Sequence, residues 1–279
     1  MFEIPILAYH HVVPEHSDTI LPWVYNSPFR VTVDQFDAQM RFLTENSYQI
    51  IGLDELWQQV HDKESAKLDQ LANKSVVITF DDGWKNNIDY ALPVLQNYGI
   101  KATFYIISKA VGEQEYMSWS DLEKMAAAEM DIQSHGHRHV ALELLSDDEC
   151  RFEFEHSKHL LESNLGHKIS HFSFPLGFYN RKVIDIAKKY YKTCATSNTG
   201  FVSNQSNVNE LPRLMVRHEH SLDDLRMILE RDKQHLKHEI RVQKAKRTVK
   251  SIIGLKNYLR LHEFVYRTPS TEIKETESA

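Results

Sequence analysis

Short, almost wholly apolar runs alternate along this chain with longer stretches in which apolar residues recur at helical spacing. Ile4 to His10 is one such run, and Phe36 to Glu45 follows it as a helix, preceded by Thr32-Val33-Asp34-Gln35 in the form of a capping box. The pairing repeats. Val76 to Phe80 precedes a helix at Ile88 to Asn97, and Thr103 to Ile107 precedes one at Trp119 to Ala128. Asp131 to Ser134 precedes a long helix that opens on the box Ser146-Asp147-Asp148-Glu149 and runs to about Leu165. His171 to Phe174 precedes Arg181 to Lys189, while Thr193 to Thr196 and Leu214 to Val216 are further strand candidates. Brief apolar strands separated by helices pair in parallel with the helices outside, and about seven such repeats suit a closed barrel better than an open sheet. The pattern therefore predicts an α/β fold, a distorted (β/α)7-type barrel over 1–231, a basic helical extension over 232–267 and a disordered tail over 268–279.

Composition narrows the classes. The chain has 279 residues, 42% of them hydrophobic, enough for a substantial core, and a net charge of −6 that gives no reason to expect a nucleic-acid partner. Cys150 and Cys194 are the only cysteines, so neither a disulfide framework nor a cysteine zinc site is indicated. The first residues lack the basic region and the apolar length of a signal peptide, and no stretch reaches the length of a membrane span, which makes the cytoplasm the expected compartment. Charge is unevenly spread: between Lys233 and Arg267 ten Lys or Arg stand against Glu239 and Glu263. A basic segment with intermittent apolar residues either packs on an acidic barrel or associates peripherally with an anionic membrane surface, here the inner face.

In barrels of this kind the chemistry sits on the loops that leave the carboxyl ends of the strands. His10 and His11 follow the first predicted strand, Asp81 and Asp82 follow Val76 to Phe80, and Ser134-His135-Gly136-His137-Arg138-His139 closes Asp131 to Ser134. Pro175-Leu176-Gly177 follows His171 to Phe174. Adjacent carboxylates repel unless a cation lies between them or one is protonated. Three imidazoles within five residues, beside carboxylates, form a donor set suited to zinc and its neighbours, and the loop geometry decides which two bind. Gly136 stands where a His-Glu-x-x-His metallopeptidase helix needs its glutamate, which excludes that class.

Thr79-Phe80-Asp81-Asp82-Gly83, followed about fifty residues on by Ser-His-Gly-His-Arg-His, resembles the polysaccharide deacetylase family (NodB-homology, carbohydrate esterase family 4). Tyr9-His10-His11-Val12, Lys101 to Tyr105 and Phe172 to Asn180 extend the likeness over roughly residues 4 to 217 and place it nearest the bacterial exopolysaccharide N-deacetylase branch. The resemblance implies a metal-dependent hydrolase that removes N-acetyl groups from an amino sugar in a polysaccharide or glycan precursor. It implies Asp82, His135 and His139 as metal ligands, Asp81 as base and His10 as the acid, with His218 and His220 as alternatives for that last role. Pro175, Gly177 and Tyr179 become candidate substrate contacts, joined by the aromatics Trp23, Trp84 and Phe178. Zinc is the expected metal, with cobalt, nickel or manganese compatible with the same donors.

The departures shape the expectation as well. Ser173 stands where many members carry an arginine and Leu176 where they carry an aromatic, so a rearranged set of partners around Asp81 is expected. Gly136 replaces a Ser or Thr, His137 is expected to face solvent and His11 to be a loop histidine. The competing classes are a catalytically inactive carbohydrate-binding or assembly protein, and a metal-dependent amidase or deformylase acting on a small or lipid-linked substrate.

Overall fold

The structure, a computed structural model, describes residues 2–16, 20–61 and 74–232 with isolated positions beyond. Nearly all of the expected basic extension and tail lies outside the described residues. The strands are β1 (Ile6–Tyr9), β2 (His11–Val13), β3 (Arg30–Thr32), β4 (Gln49–Ile50), β5 (Ser75–Phe80), β6 (Thr103–Ile106), β7 (Asp131–Ser134), β8 (His171–Ser173), β9 (Thr193–Ala195) and β10 (Leu214–Met215). Between them lie α1 (Pro22–Tyr25), α2 (Val33–Glu45), α3 (Leu53–His61), α4 (Leu92–Asn97), α5 (Trp119–Ala127), α6 (Asp147–Leu165) and α7 (Arg181–Ala187), with α8 (Leu222–Leu229) after β10.

The main sheet runs β10-β1-β5-β6-β7-β8-β9, all parallel, with β4 added on β5. The segment before β10 closes it. The Leu211 N–H donates to the Cys194 carbonyl at 2.8 Å and the Thr196 N–H donates to the Leu211 carbonyl at 2.9 Å, and three residues later Leu214 pairs with Leu7 of β1. One short stretch thus touches both edges, and the sheet is the distorted (β/α)7 barrel expected from the sequence.

Side chains alternate across each strand. Leu7, Ile78, Phe80, Phe104, Ile106 and Cys194 join the layer packed beneath α2, α5 and α6 through Phe36, Met40, Leu122 and Phe154. Their neighbours Ile6, Val77, Tyr105 and Ala195 form a second, inner cluster with Ile4, Val202 and Leu211. The parity that sends Val77 inward also sends Thr79 and Asp81 inward, so the polar residues of these strands line the barrel interior and lead to its mouth.

Both predicted capping boxes form, Thr32 with Gln35 and Ser146 with Glu149. Five features differ from the sequence reading. The two-stranded pairing of β2 with β3, the short β4 and α3 fall in stretches whose apolar pattern is too brief or too mixed to read. The helix expected from Ile88 begins instead with a π-helical turn, Asn87–Ala91, before α4. His11 is no loop residue: it belongs to β2 and is buried, because the chain re-enters an extended conformation directly after His10 and packs the ring against Trp23 and Trp84.

Candidate metal centre

β5 ends where its ladder does: the Asp81 N–H still donates to the Tyr9 carbonyl at 3.0 Å. The next residue breaks the alternation. Asp82 has φ 77°, in the left-handed region that non-glycine residues seldom occupy, and Gly83 continues it at φ 84°. Gly83 has little alternative, since a Cβ there would lie 3.1 Å from Ile106 Cδ1. The turn brings two consecutive carboxylates, which a strand would place on opposite faces, to the same mouth.

Their environments then separate them. Asp81 is held by Arg213, whose Nη1 and Nη2 donate to its two oxygens at 2.7 and 2.6 Å. The same guanidinium donates to Thr79 Oγ1, Ser173 Oγ and the Thr196 carbonyl, and it is fully buried. Burial alone would raise the Asp81 pKa; the charges of Arg213 and His135 and the hydrogen bonds from Arg213 override it and hold the carboxyl below its ordinary range. Asp82 is turned the other way. Its Oδ2 accepts from the Trp84 indole N–H at 2.9 Å, which leaves Oδ1 facing His135 Nε2 and His139 Nε2, each at 3.3 Å.

His135 is oriented by its far nitrogen, which donates to the Ser173 carbonyl at 2.8 Å and points Nε2 toward Asp82. Burial works against its charged form, but Asp81 and Asp82 raise its pKa, so a cation bound at Nε2 displaces a proton. His139 reaches the cluster through a backbone at φ 56°. Asp82, His135 and His139 each offer one ligand atom within 4.8 Å of the others. Donors held tetrahedrally at about 2.0 to 2.1 Å from one ion stand about 3.3 Å apart, which is the separation of both imidazole nitrogens from Asp82 Oδ1. One carboxylate oxygen and two imidazole nitrogens fit a divalent cation. Burial lowers the His139 pKa to about 4, so its ring is neutral and able to ligate near pH 7.

His10 belongs to the same cluster. Burial depresses its pKa, and the charges of Asp82, Asp81, Arg213 and His135 all act on it. Its ring stacks on Phe29 at 4.9 Å, and its carbonyl accepts from Asn87 Nδ2 at 2.7 Å, in the first residue of the π turn. His218 is exposed and held 3.2 Å from Arg30 Nη2, while His220 Nδ1 accepts from the Arg217 N–H. His137 is half-buried rather than solvated: its ring lies edge-on to His156 at 4.4 Å and Phe152 at 5.6 Å, and its Nδ1 lies 3.0 Å from Ser108 Oγ.

Pro175, Gly177 and Tyr179 are placed more by packing than the sequence suggested. Pro175 is buried, and a Cβ on Gly177, at φ 68°, would come within 2.6 Å of Ser197 Oγ. Tyr179 stacks on Phe174 at 4.8 Å and its hydroxyl accepts from Asn198 Nδ2. Trp23 and Trp84 lie 5.3 Å apart, and Trp84 stacks on Tyr116 at 4.3 Å, so this aromatic group is a wall behind Asp82.

The sequence reading missed Arg213. Its signal was a lone charge inside the apolar run Leu211 to Val216, where an arginine must find a buried partner. It donates to Ser173 Oγ at 2.9 Å as well as to Asp81, and so forms a set of partners around that carboxylate.

A family model described as polysaccharide deacetylase matches residues 69–195. The chain is 30% identical over 216 residues to YxkH of Bacillus subtilis, whose name assigns it to the polysaccharide deacetylases; the match covers 77% of this chain and 71% of that one. It is 27% identical over 175 residues to the poly-beta-1,6-N-acetyl-D-glucosamine N-deacetylase of Staphylococcus epidermidis, covering 58% of each. Among solved structures, the Streptococcus pyogenes deacetylase PplD in complex with acetate superposes with a TM-score of 0.72 at 28% identity, over 81% of this chain and 97% of that one. With the barrel, the adjacent carboxylates at its mouth and these relatives in agreement, the chain belongs to the polysaccharide deacetylase family.

Proposed function

We propose that this chain is a metal-dependent amino-sugar N-deacetylase, with Asp82, His135 and His139 holding a divalent cation, Asp81 as base and His10 as acid. The observation that carries the reading is the division of labour between adjacent carboxylates: one faces two imidazole nitrogens, the other is locked ionised by a buried arginine. Bound at the first, zinc or a similar cation supplies Lewis acidity toward water and the amide carbonyl.

The chain's own residues supply the rest. Asp81, kept unprotonated by Arg213, accepts the proton of the attacking water. An amide anion is too basic to leave, so the departing nitrogen needs a proton, and His10 provides it. Burial disfavours its charged ring, so the protonated form that donates is the minor one at neutral pH, and in that form it is a stronger acid than an ordinary imidazolium. Trp84 and the Ser173 carbonyl fix the orientation of Asp82 and His135, so both ligands meet a cation without reorganising.

The substrate class follows from the relatives: an N-acetylated glycan, for which oligomers of β-1,6-linked N-acetylglucosamine are the first choice given the name of the staphylococcal relative. Acetate release from such oligomers should be measured with zinc- or cobalt-loaded protein, with Asp81→Asn and with a chelated sample. Activity in the loaded wild type that falls at least about a hundredfold in both controls supports the reading. A loaded, folded protein that releases no acetate from these or other N-acetylated glycans would turn it toward a binding role.

A further inference from the structure

The loop that carries both imidazole ligands has no secondary structure of its own between β7 and the turn Leu142–Leu144. Its backbone is held from outside. The His137 and Arg138 N–H groups both donate to Glu153 Oε2, at 2.8 and 2.9 Å, and Arg138 Nε donates to Glu153 Oε1 at 2.5 Å. The Gly136 carbonyl accepts from Ser157 Oγ at 3.0 Å. Because the Ser157 proton is used there, the 2.8 Å contact between Ser134 Oγ and Ser157 Oγ has Ser134 as donor, and Ser134 Oγ in turn accepts from the Gly136 N–H at 3.2 Å. Both polar groups of the Gly136 backbone are therefore closed into one ring with two hydroxyls.

Glu153 and Ser157 stand four residues apart on one face of α6, and both are completely buried. A carboxylate is kept in such a place only where donors satisfy it. Here the donors sit on His137 and Arg138, between the two ligands. A purely stabilising carboxylate would have no reason to spend its acceptors there. The loop also needs the restraint: Gly136 at φ 84° and His139 at φ 56° are left-handed, and a histidine stays in that region only when its surroundings over-determine it.

We propose that Glu153 and Ser157 are positioning residues for the metal centre. They clamp residues 136–138 to α6 so that His135 and His139 converge on Asp82 Oδ1. The inference rests on the metal-centre reading above and assigns the geometry of that centre to a helix carrying none of its ligands. Its test is binding, not turnover. Zinc affinity is measured by chelator competition and the cobalt(II) absorption spectrum is recorded, on the full chain, for wild type, Asp82→Asn, Glu153→Gln, Ser157→Ala and the double variant Arg138→Gln/Glu153→Gln.

Glu153→Gln sets an amide N–H against the Arg138 donor, and the expected result is zinc binding weakened by about 10- to 100-fold with an altered cobalt spectrum. In the double variant the glutamine oxygen at position 153 still accepts from the loop and its N–H donates to the glutamine that replaces Arg138, so affinity and spectrum should return most of the way. A role in folding alone would not be rescued in the spectrum. Ser157→Ala, which removes one hydroxyl, should weaken binding more mildly, and it decides the matter if Glu153→Gln does not fold. Wild-type affinity and spectrum in Glu153→Gln and Ser157→Ala, with Asp82→Asn impaired, would overturn the clamp while leaving the centre intact. Unimpaired binding by Asp82→Asn would instead remove the metal-centre reading, and the clamp with it.

Discussion

At Asp81 two demands compete: the base proposed above must be ionised, and a carboxylate only 3% exposed resists ionisation. Arg213 reconciles them through a bidentate pair, and the pair is also a structural commitment, because removing one partner leaves the other charge buried and alone. Arg213→Met should cost about 3 to 5 kcal/mol in denaturant unfolding, and Asp81→Asn/Arg213→Met should cost less than Arg213→Met, since no charge is stranded. Equal losses in the two variants would mean that the pair is not coupled. The same residues show what could be read in advance. Asp81, Asp82, His135 and His139 were legible because each follows a strand whose apolar run was plain. Arg213 was not, because the contact joins residues 132 positions apart, and nothing local to Leu211-Pro212-Arg213 says which strand end it will meet. The positive φ of Asp82 and His139 was equally hidden, since neither residue type demands it.

Among the elements, the longer helices and the strands of the main sheet were legible from capping boxes and apolar runs. β2 and β3 were not: three residues each, they are held by pairing with one another and by the side chains around them. His11 is the clearest case of that tertiary control. It sits between Trp23 and Trp84, accepts from Asn86 Nδ2 at 3.0 Å, and feels the charges of His10 and Asp82; burial pushes its pKa down to about 3. The unfolded chain takes up a proton below about 6.5, whereas the folded ring refuses it until far lower, so folding stability falls as the pH drops through that interval. At pH 5 this single group should remove about 2 kcal/mol relative to neutral pH. His11→Asn keeps an acceptor near Asn86 without the titration, and it should flatten the stability difference between pH 7 and 5 by about that amount. An unchanged pH dependence would place the proton elsewhere.

At the scale of the whole molecule, the barrel is closed by a segment that also carries Arg213, so closure and the preparation of Asp81 are one event. No helix among the described residues is long and apolar enough to cross a membrane. The charge surplus between Lys233 and Arg267 remains a sequence-level proposal of peripheral binding: the full chain should co-sediment with vesicles containing anionic lipid at low salt, and a chain ending at residue 232 should not. Equal binding by both would sink it. The last consequence joins the site to global stability. Asp82, His135 and His139 come from two strand ends on opposite sides of β6, so a cation held among them ties β5 to β7 only in the folded state. A ligand of that kind stabilises by mass action, by about 2.7 kcal/mol at a free concentration a hundredfold above Kd. For a domain of this size that corresponds to roughly 5 to 10 °C in Tm. Zinc should therefore raise the Tm of the wild type over this range, a chelator should reverse it, and Asp82→Asn should show little response. A wild-type Tm indifferent to zinc, cobalt, nickel and manganese would mean that the two imidazoles and Asp82 pair with one another and hold no cation.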